Sequence, residues 1–492
     1  MKKQHIIILL VLALVIGFGA GYAGMKVASS SDTDHVKEQD DSSDNDDSPE
    51  TDGNEETNEE EPEDMDKVVN AFHLIQDNYL EGADDDQLIE GAIKGMVNSL
   101  DDPYSAYMDS DSMGEFNQSI ESSFEGIGAE VSMVGGNVTI ISPIKDSPAE
   151  KEGLRPNDQI KSIDGESTSG LDLYEAVEEI RGEKGSEVVI EIQRPGVSEP
   201  FEVTLTRDEI PVETVYSDMK DVGGKKTGTL EITSFAENTA NEFEEQLTEL
   251  EDDGMEGLVI DVRGNPGGLL TAVEDILGLF VPEDMPYLQI EDPDGNQEPF
   301  YSNLDEKKEY PISVLTDEGS ASASEILAIA LKEMGYDTVG ETSFGKGTVQ
   351  NAIEIDDEGD TIKLTYYKWL SPEGEWIHDK GIEPTIEVEQ PDYYYTNPVE
   401  VDEELKIDQA NDDVKNIQVM LEGLGFETGR TDGYFNEDTE KAVKKFQEDH
   451  DDLKASGVVD EKTSAAIETE IVEKIRDGKD DQQMEKALDS LY

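Results

Sequence analysis

The order of hydrophobic and polar residues divides the chain into segments of different character. Residues 6–28 form an almost unbroken apolar run, and residues 29–65 are then dominated by Asp, Glu, Ser and Asn. From Met65 to about Phe124, apolar residues recur at helical spacing, as in VVNAFHLIQDNYL and LIEGAIKGMVNSL. This pattern predicts an extended, self-repelling linker followed by an N-terminal helical region.

The remaining chain shows three further patterns. Short alternating strands such as NVTIISPI, SEVVIEIQR and FEVTLTR lie between Phe124 and about Ile210. Residues 226–390 then alternate strands (TGTLEI, GLVIDV, PISVLT) with helices, which predicts α/β layers. Residues 411–475 return to helical spacing around a turn at DGYF, and this predicts a small helical bundle.

The apolar run near the N-terminus predicts a membrane anchor. About twenty apolar residues at 1.5 Å per residue match a hydrocarbon layer of about 30 Å. Basic residues precede the run and acidic residues follow it, so we expect a cytoplasmic N-terminus and an extracytoplasmic remainder. A cleaved signal peptide is the alternative, because Ala20 and Ala23 are small enough to accommodate cleavage.

Composition narrows the function further. The net charge of −82 repels nucleic acid and suits a protein that works in high salt, where screening weakens self-repulsion. Full stability and activity in dilute buffer would contradict that salt hypothesis. The chain has no cysteine, which excludes disulfides, thiolate catalysis and cysteine-bound metal. We expect no metal, cofactor or nucleic-acid partner.

The stretch GSASASEI places three serines where a predicted strand gives way to a helix. A hydroxyl in such a bend lies beside free helix N–H groups, which favour a developing oxyanion. Small residues that only let the helix pack and cap its end are an equally good interpretation. Spacing alone does not select among Ser320, Ser322 and Ser324.

A lysine is the candidate base for a serine in this bend. GETSFGKGT resembles a phosphate-binding loop, but Gly347 occupies the required Ser/Thr position and a strand pattern follows. Burial lowers the pKa of a lysine, and Lys346 lies between two glycines that permit close packing. In an extended stretch, Gln350 would share its face and orient its amine with a neutral amide. Serine–lysine pairs are known variants of the catalytic triad. His73 and His378 lack any partner pattern.

DVRGNPGG, directly after the strand GLVIDV, is a further candidate element. Gly267 and Gly268 can bring bare amides close to a substrate carbonyl, although a simple turn between strand and helix explains them equally well.

Taken together and in this order, DVRGNPGG, GSASASEI and FGKGTVQ resemble the carboxyl-terminal processing (tail-specific) serine proteases. The resemblance covers roughly residues 66–390. NSLDDPYSAYM at 98–108 resembles the N-terminal signature of that family, and GIGAEV, SPAEKEGLRPNDQIKSIDG and IRGEKG resemble its inserted PDZ domain. IQVMLEGLGF, DGYFNEDTEKAVKKFQ and VVDEKT resemble a peptidoglycan-binding helical module.

The resemblance implies an α/β, crotonase-like protease core with a serine–lysine–glutamine site. Matched motif to motif, Ser322 is the nucleophile, Lys346 the general base and Gln350 the residue that holds the base. The oxyanion amides would come from Ala323 and from the turn at Gly267 and Gly268.

The PDZ resemblance implies that a substrate tail adds a strand and places its carboxylate in a nest of amides. The candidate nest is Gly126, Ile127 and Gly128. Arg181 matches a position that couples the PDZ domain to the core, although a solvated arginine at a helix end is the simpler alternative. The family also suggests homodimers built through the terminal helical regions.

We therefore predict a membrane-anchored, extracytoplasmic serine endopeptidase that cleaves proteins with exposed C-terminal tails. The alternatives are a non-catalytic PDZ and wall-binding scaffold and, less directly, a wall hydrolase, for which no carboxylate pair can be singled out. The predicted domains are an anchor (1–28), an acidic linker (29–65), an N-terminal helical region (66–123), a PDZ domain (124–210), a protease core (211–395) and a peptidoglycan-binding-like bundle (405–478).

Overall fold

The computed structural model describes residues 65–492 except 135, 146, 172, 198, 357, 358, 400 and 402. The predicted anchor and all of the predicted linker but Met65 lie outside these residues. Among the helices that the structure describes, none has both the length and the apolar character needed to span a bilayer.

The N-terminal region is a helical hairpin followed by a strand and a third helix. Its elements are α1 (Met65–Asn78), α2 (Asp85–Asn98), β1 (Ala106–Met108) and α3 (Ser110–Ile120). The helical prediction is confirmed for the hairpin but wrong at 106–108, because a three-residue strand is too short to show a period of two. β1 pairs antiparallel with a core strand at Thr361–Leu370 (β18), so this segment belongs to the protease core.

The predicted PDZ domain is a separate sheet with its own hydrophobic core. A ribbon of β2 (Ser123–Gly126) and β9 (Asp208–Pro211) connects it to the rest of the chain. Its sheet order is β3-β4-β5-β7-β8, with β6 beside β5, so β3 is an edge strand. These elements are β3 (Ala129–Val134), β4 (Asn137–Pro143), α4 (Pro148–Lys151), β5 (Gln159–Ile163), β6 (Glu166–Ser167), α5 (Leu173–Ile180), β7 (Glu187–Gln193) and β8 (Phe201–Thr206).

The predicted protease core contains a central, mostly parallel sheet. Its order is β10-β11-β12-β15-β16-β19, and only the pair β10/β11 is antiparallel. The strands are β10 (Val215–Val222), β11 (Lys225–Ile232), β12 (Gly257–Asp261), β15 (Ile312–Thr316), β16 (Asp337–Gly340) and β19 (Ile386–Glu387). The helices of this region are α6 (Thr239–Asp252), α7 (Leu270–Leu277) and α8 (Ala323–Glu333).

A second sheet of the core carries β18 at its centre. β18 pairs with β1, β13 and β17, and β14 pairs with β13. The other strands are β13 (Pro286–Glu291), β14 (Gln297–Tyr301) and β17 (Thr348–Glu354). This sheet therefore brings the N-terminal segment against the strand that follows the FGKG loop.

The C-terminal region confirms the predicted small helical bundle. After a 3-10 turn (Asp392–Tyr395), it contains α9 (Asp412–Gly423), α10 (Glu437–Glu448) and α11 (Glu461–Arg476). Its buried residues include Val414, Ile417 and Phe446. Asn436 caps α10 by accepting a hydrogen bond from the Thr439 amide.

A last helix, α12 (Gln482–Ser490), leaves this bundle and returns to the core. Alternate residues of β12 point to opposite faces of the central sheet. Leu258 and Ile260 pack in the main core, whereas Val259 packs with Ala487 and Leu491 of the C-terminal segment. The bundle is therefore attached to the protease core at both of its ends.

We expect Ala487→Asp to lower the melting temperature of the core, because it buries an unpaired carboxylate against the central sheet. Lys486→Asp on the exposed side of the same helix is the matched control and should have little effect. Equal melting temperatures for the two variants, measured by calorimetry, would show that α12 does not stabilise the core.

Candidate active site

The serine bend has a strained backbone at its middle serine. Ser322 is the N-cap of α8, with φ 55° and ψ −108°, a conformation that residues with a side chain rarely adopt. The hydroxyls of the flanking serines have structural partners: Ser320 donates to the Val262 carbonyl and Ser324 to the Asn265 carbonyl, both at 2.8 Å. The geometry thus distinguishes Ser322, which spacing alone did not.

A buried glutamate ties this bend to the lysine loop. Glu325 Oε2 accepts hydrogen bonds from the backbone amides of Ser322 and Lys346, each at 2.8 Å. Because both bonds end on one oxygen, the backbone nitrogens of Ser322 and Lys346 lie at most twice 2.8 Å apart. Glu325 Oε1 accepts from the Ser343 hydroxyl at 2.6 Å and from the Gly345 amide at 2.7 Å.

The hydrogen bonds from these partners favour the charged form of Glu325. Burial raises its pKa, and the four hydrogen bonds oppose that shift. All four partners donate, so a protonated carboxyl group would leave its own O–H without an acceptor among them. The sequence pattern did not predict these bonds to the lysine loop, although Ser322-x-x-Glu325 has the spacing of a capping box.

The lysine loop packs closely against a neighbouring loop through its glycines. A Cβ on Gly345 would lie 2.8 Å from the Gly381 nitrogen, and a Cβ on Gly347 would lie 2.8 Å from Trp376 Nε1. The Lys346 carbonyl accepts a hydrogen bond from Trp369 Nε1 at 2.8 Å. The loop leads into the strand β17, which confirms that it is not a phosphate-binding loop.

The Lys346 side chain is buried under residues from the N-terminal segment. It is 5% exposed, and its amine lies 4.9 Å from the centre of the Tyr104 ring. Burial, followed by the charge of Lys363, lowers the pKa of Lys346 to about 7, while Glu325 and Asp102 act in the opposite direction. A large fraction of this amine is therefore neutral near pH 7, as a general base requires.

Gln350 has a free acceptor in this pocket. Its amide nitrogen donates to the hydroxyls of Thr348 and Thr365, at 3.0 and 3.1 Å. Its Oε1 is buried with no hydrogen-bond partner among the described residues. No described residue bonds the Lys346 amine either, so the structure brings these groups into one region without joining them.

Asp102 and Thr365 connect the N-terminal segment to this region. Asp102 accepts from the Ser105 hydroxyl at 2.6 Å and from the Tyr104 amide at 3.1 Å. Burial raises the pKa of Asp102, but the influence of Ser105, Thr365 and the Tyr104 amide outweighs burial and lowers it. The sequence pattern of this segment indicated only a family signature and did not predict its place at the site.

The glycine turn lies directly against the serine bend. A Cβ on Gly267 would lie 3.1 Å from the Ala323 nitrogen and 3.1 Å from Ser322 Cβ. The Gly267 amide donates to Asn265 Oδ1 at 2.8 Å, so it is already occupied. The amides of Gly268 and Ala323 have no acceptor among the described residues, which leaves them available to a ligand.

The remaining histidine near the site has a packing role. His378 stacks on Trp376 at 5.0 Å, and its Nδ1 accepts from the Gly347 amide at 3.3 Å. His73 lies on the exposed face of α1. In the part of the chain that the structure describes, no group of three or more His, Asp or Glu side chains is placed to hold a metal ion.

The predicted PDZ nest immediately precedes the edge strand β3. Gly128 has φ +72°, and a Cβ there would lie 2.4 Å from Ser147 Cβ. The carbonyls of Ile127 and Gly128 accept from the amides of Ala149 and Ile144, at 2.8 and 2.9 Å. Arg181 lies beside this nest, with its guanidinium 5.5 Å from the ring of Phe124.

We expect Lys346→Met to raise the free energy of unfolding of the core by about 3 kcal/mol near pH 7.5, because the unfolded lysine has a pKa near 10.4 and the folded one is at about 7. Between these values the unfolded chain binds the extra proton, so wild-type stability should rise with pH. The gain from methionine should therefore shrink as the pH approaches 10.5.

The control for this comparison is the exposed Lys380, whose replacement by Met should leave stability nearly unchanged. Denaturant unfolding across this pH range checks the expectation. A Lys346→Met variant that is less stable than wild type at every pH would contradict the burial of an easily deprotonated amine.

Comparison with known proteins places this geometry in a family. Residues 226–388 match peptidase family S41, residues 14–112 match the N-terminal domain of the activating protease CtpB, residues 139–194 match a PDZ domain and residues 410–467 match a peptidoglycan-binding domain.

Two relatives from Bacillus subtilis (strain 168) extend the match over most of the chain. The carboxy-terminal processing protease CtpB is 53% identical over 429 residues, covering 87% of this chain and 89% of CtpB. The carboxy-terminal processing protease CtpA is 43% identical over 428 residues, covering 87% of this chain and 90% of CtpA. These matches favour the peptidase over the non-catalytic scaffold. The chain belongs to peptidase family S41 and is a serine-type carboxy-terminal processing peptidase with a PDZ domain and C-terminal helices.

Proposed function

We propose that this peptidase cuts its substrates with Ser322 as nucleophile, Lys346 as general base and Gln350 as the residue that orients the base, on a crotonase-like core. The observation that supports this most strongly is the buried Lys346 amine, whose pKa is lowered to about 7. Its loop is joined to the Ser322 bend through one carboxylate, Glu325.

In the proposed first step, Ser322 Oγ attacks the scissile carbonyl carbon while its proton passes to the neutral Lys346 amine. The carbonyl oxygen becomes an oxyanion that accepts hydrogen bonds from the Gly268 and Ala323 amides. The C–N bond then breaks, and the Lys346 ammonium gives its proton to the leaving amine. An acyl-enzyme and a free C-terminal fragment result.

In the second step, water attacks the acyl carbon and passes a proton to the Lys346 amine. The second tetrahedral intermediate collapses, and Ser322 Oγ leaves with the proton that Lys346 returns. Gln350 Oε1, which has no partner among the described residues, can accept a hydrogen bond from the Lys346 amine throughout. This contact would hold the base through a neutral amide. A carboxylate in the same place would raise the pKa of Lys346.

We expect Ser322→Ala and Lys346→Ala each to lower cleavage of an unfolded, casein-like protein by at least about a thousandfold, because the nucleophile or its base is lost. Ser324→Ala removes a hydroxyl from the same bend that only bonds the Asn265 carbonyl, and this control should retain most of the activity. Wild-type activity should fall as the pH drops through about 7, where Lys346 becomes protonated.

Active-site labelling gives an independent test of these roles. A fluorophosphonate should modify Ser322, as peptide mapping would show. Wild-type cleavage rates in Lys346→Ala, or a label on another serine, would refute the assignment.

We further propose that the PDZ domain captures the C-terminal tail of the substrate. The edge strand β3 can pair with an added strand, and the nest of Gly126, Ile127 and Gly128 lies at its start. Arg181, beside this nest, is the proposed link to the core. An Arg181→Ala variant would reveal through its cleavage rate whether that link activates or inhibits.

Gly128→Ala should weaken the binding of a tail peptide about tenfold or more, because its Cβ collides with Ser147 at a left-handed position. Gly136→Ala is the matched control: its φ of +75° is similar, but a Cβ there meets no atom within 4 Å. Fluorescence anisotropy with a labelled tail peptide measures both. Equal affinities for the two variants would argue against this nest.

Three further proposals concern placement and assembly. We propose that residues 1–28 anchor the protein in the cell membrane, that the C-terminal bundle binds peptidoglycan, and that the hairpin α1/α2 pairs in a homodimer. The hairpin supports the last proposal, since its apolar groove of about 680 Å³ exposes residues such as Val69 and Met96. Cell fractionation tests the membrane anchor, and pull-down on purified wall tests the binding of peptidoglycan. Sedimentation of Val69→Asp tests the homodimer.

A further inference from the structure

Lys363 is a buried lysine to which the proposed mechanism gives no task. It is 3% exposed and lies on β18 between β1 and β17, directly opposite Ala106 and Ala352. Its amine makes no hydrogen bond or ion pair with another described residue. This amine lies over the ring of Phe116, 5.5 Å from the ring centre.

A buried amine without a polar partner is costly, and a methionine of similar length would fill the same space without that cost. Burial lowers the pKa of Lys363 to about 8, and Asp102 opposes the shift. Most Lys363 side chains therefore remain charged near pH 7, when part of the Lys346 population has lost its proton.

Lys363 faces the same side of its sheet as the proposed site. Thr365, two residues further along β18, shares this face, and its hydroxyl accepts from the Gln350 amide at 3.1 Å. The Thr365 amide donates to the Ser105 hydroxyl at 3.1 Å, and Ser105 donates to Asp102, whose charge acts on both lysines. Gln350 of β17 pairs with Thr365 of β18, and Ala352 of β17 pairs with Lys363 of β18. Lys363 therefore lies one cross-strand row away from Gln350 and Thr365.

The other charged and titratable groups around Lys346 come from three different elements. Glu325 on α8 and Asp102 after α2 are carboxylates, and both favour the charged amine. Tyr104 covers the amine, and its own pKa is raised by burial and then by Asp379, Glu325 and Asp102. His378 lies behind Tyr104 with 6.0 Å between their rings. Lys363 is the nearby cation that opposes the two carboxylates.

We propose that Lys363 is a positioning residue for the general base: its buried ammonium makes a second positive charge on Lys346 unfavourable and so keeps the Lys346 amine ready to accept the serine proton. This inference rests on the proposed function of Lys346. The arrangement is a general way to activate a lysine, by placing it in an apolar pocket beside another cation.

The pH dependence of kcat/KM tests the proposal. In Lys363→Met, the acidic limb should move to higher pH by about one unit, the order expected for two like charges several ångströms apart at an effective dielectric constant near 20. Activity should therefore fall about tenfold at pH 6 and be unchanged at pH 9. Lys363→Arg keeps the cation and should leave the limb in place.

Lys368→Met is the matched control, because Lys368 lies on the same strand but is 45% exposed and paired with Glu291 at 2.7 Å. The acidic limb of the Lys368→Met profile should stay at the wild-type pH. Lys363→Gln is a second charge-removing variant in case the methionine chain folds poorly, and it should show the same shift. A limb that does not move in either variant, or that moves equally in Lys363→Arg, overturns the proposal.

A direct titration separates this proposal from the proposed function. In a Ser322→Ala background, reductive ¹³C-methylation and NMR report the ionisation of Lys346 without any need for catalysis. A midpoint that rises in Lys363→Met supports the role of Lys363, and an unchanged midpoint overturns it. The role of Lys346 as base fails separately, if Lys346→Ala still cleaves at the wild-type rate.

Discussion

The hydrogen bonds of one buried carboxylate hold the two halves of the site in register. Glu325, in the first turn of α8, accepts from the amides of Ser322 and Lys346, which follow different strands of the central sheet. The same carboxylate accepts from Ser343 and Gly345. Loss of this group would leave buried donors unsatisfied and would free the lysine loop from the serine bend. The strained φ of Ser322 persists because these contacts fix both sides of the bend.

The site also depends on exclusion of water from an amine, and the residues that exclude it come from outside the core motifs. Tyr104 covers the Lys346 amine, and its segment is fixed by the pairing of β1 with β18. Ser105 and Thr365 join this segment to Gln350. Two buried lysines lower the stability of the folded chain near neutral pH, so the site trades stability for a reactive base. The burial that lowers the stability of the folded chain therefore also provides the reactive base.

Local sequence patterns predicted the parts of this molecule that depend on local forces. The apolar faces of α9 and α10, the glycines around Lys346 and the shared face of Thr348 and Gln350 follow from periodicity and backbone sterics. The strand β1, the cover supplied by Tyr104, the neighbouring cation Lys363 and the return of α12 to the core do not. Each depends on contacts between residues far apart in the chain, and no local period records such contacts. Glu325 lies between these cases, since its capping-box spacing was visible but its bonds to the lysine loop were not.

A crystal structure of the protein with a bound peptide boronate would show the proposed catalytic geometry itself. We expect a covalent bond from boron to Ser322 Oγ, a boronate oxygen facing the Gly268 and Ala323 amides, and the Lys346 amine within hydrogen-bonding distance of both Ser322 Oγ and Gln350 Oε1. A boronate bound elsewhere, or an amine that contacts neither oxygen, would contradict the account.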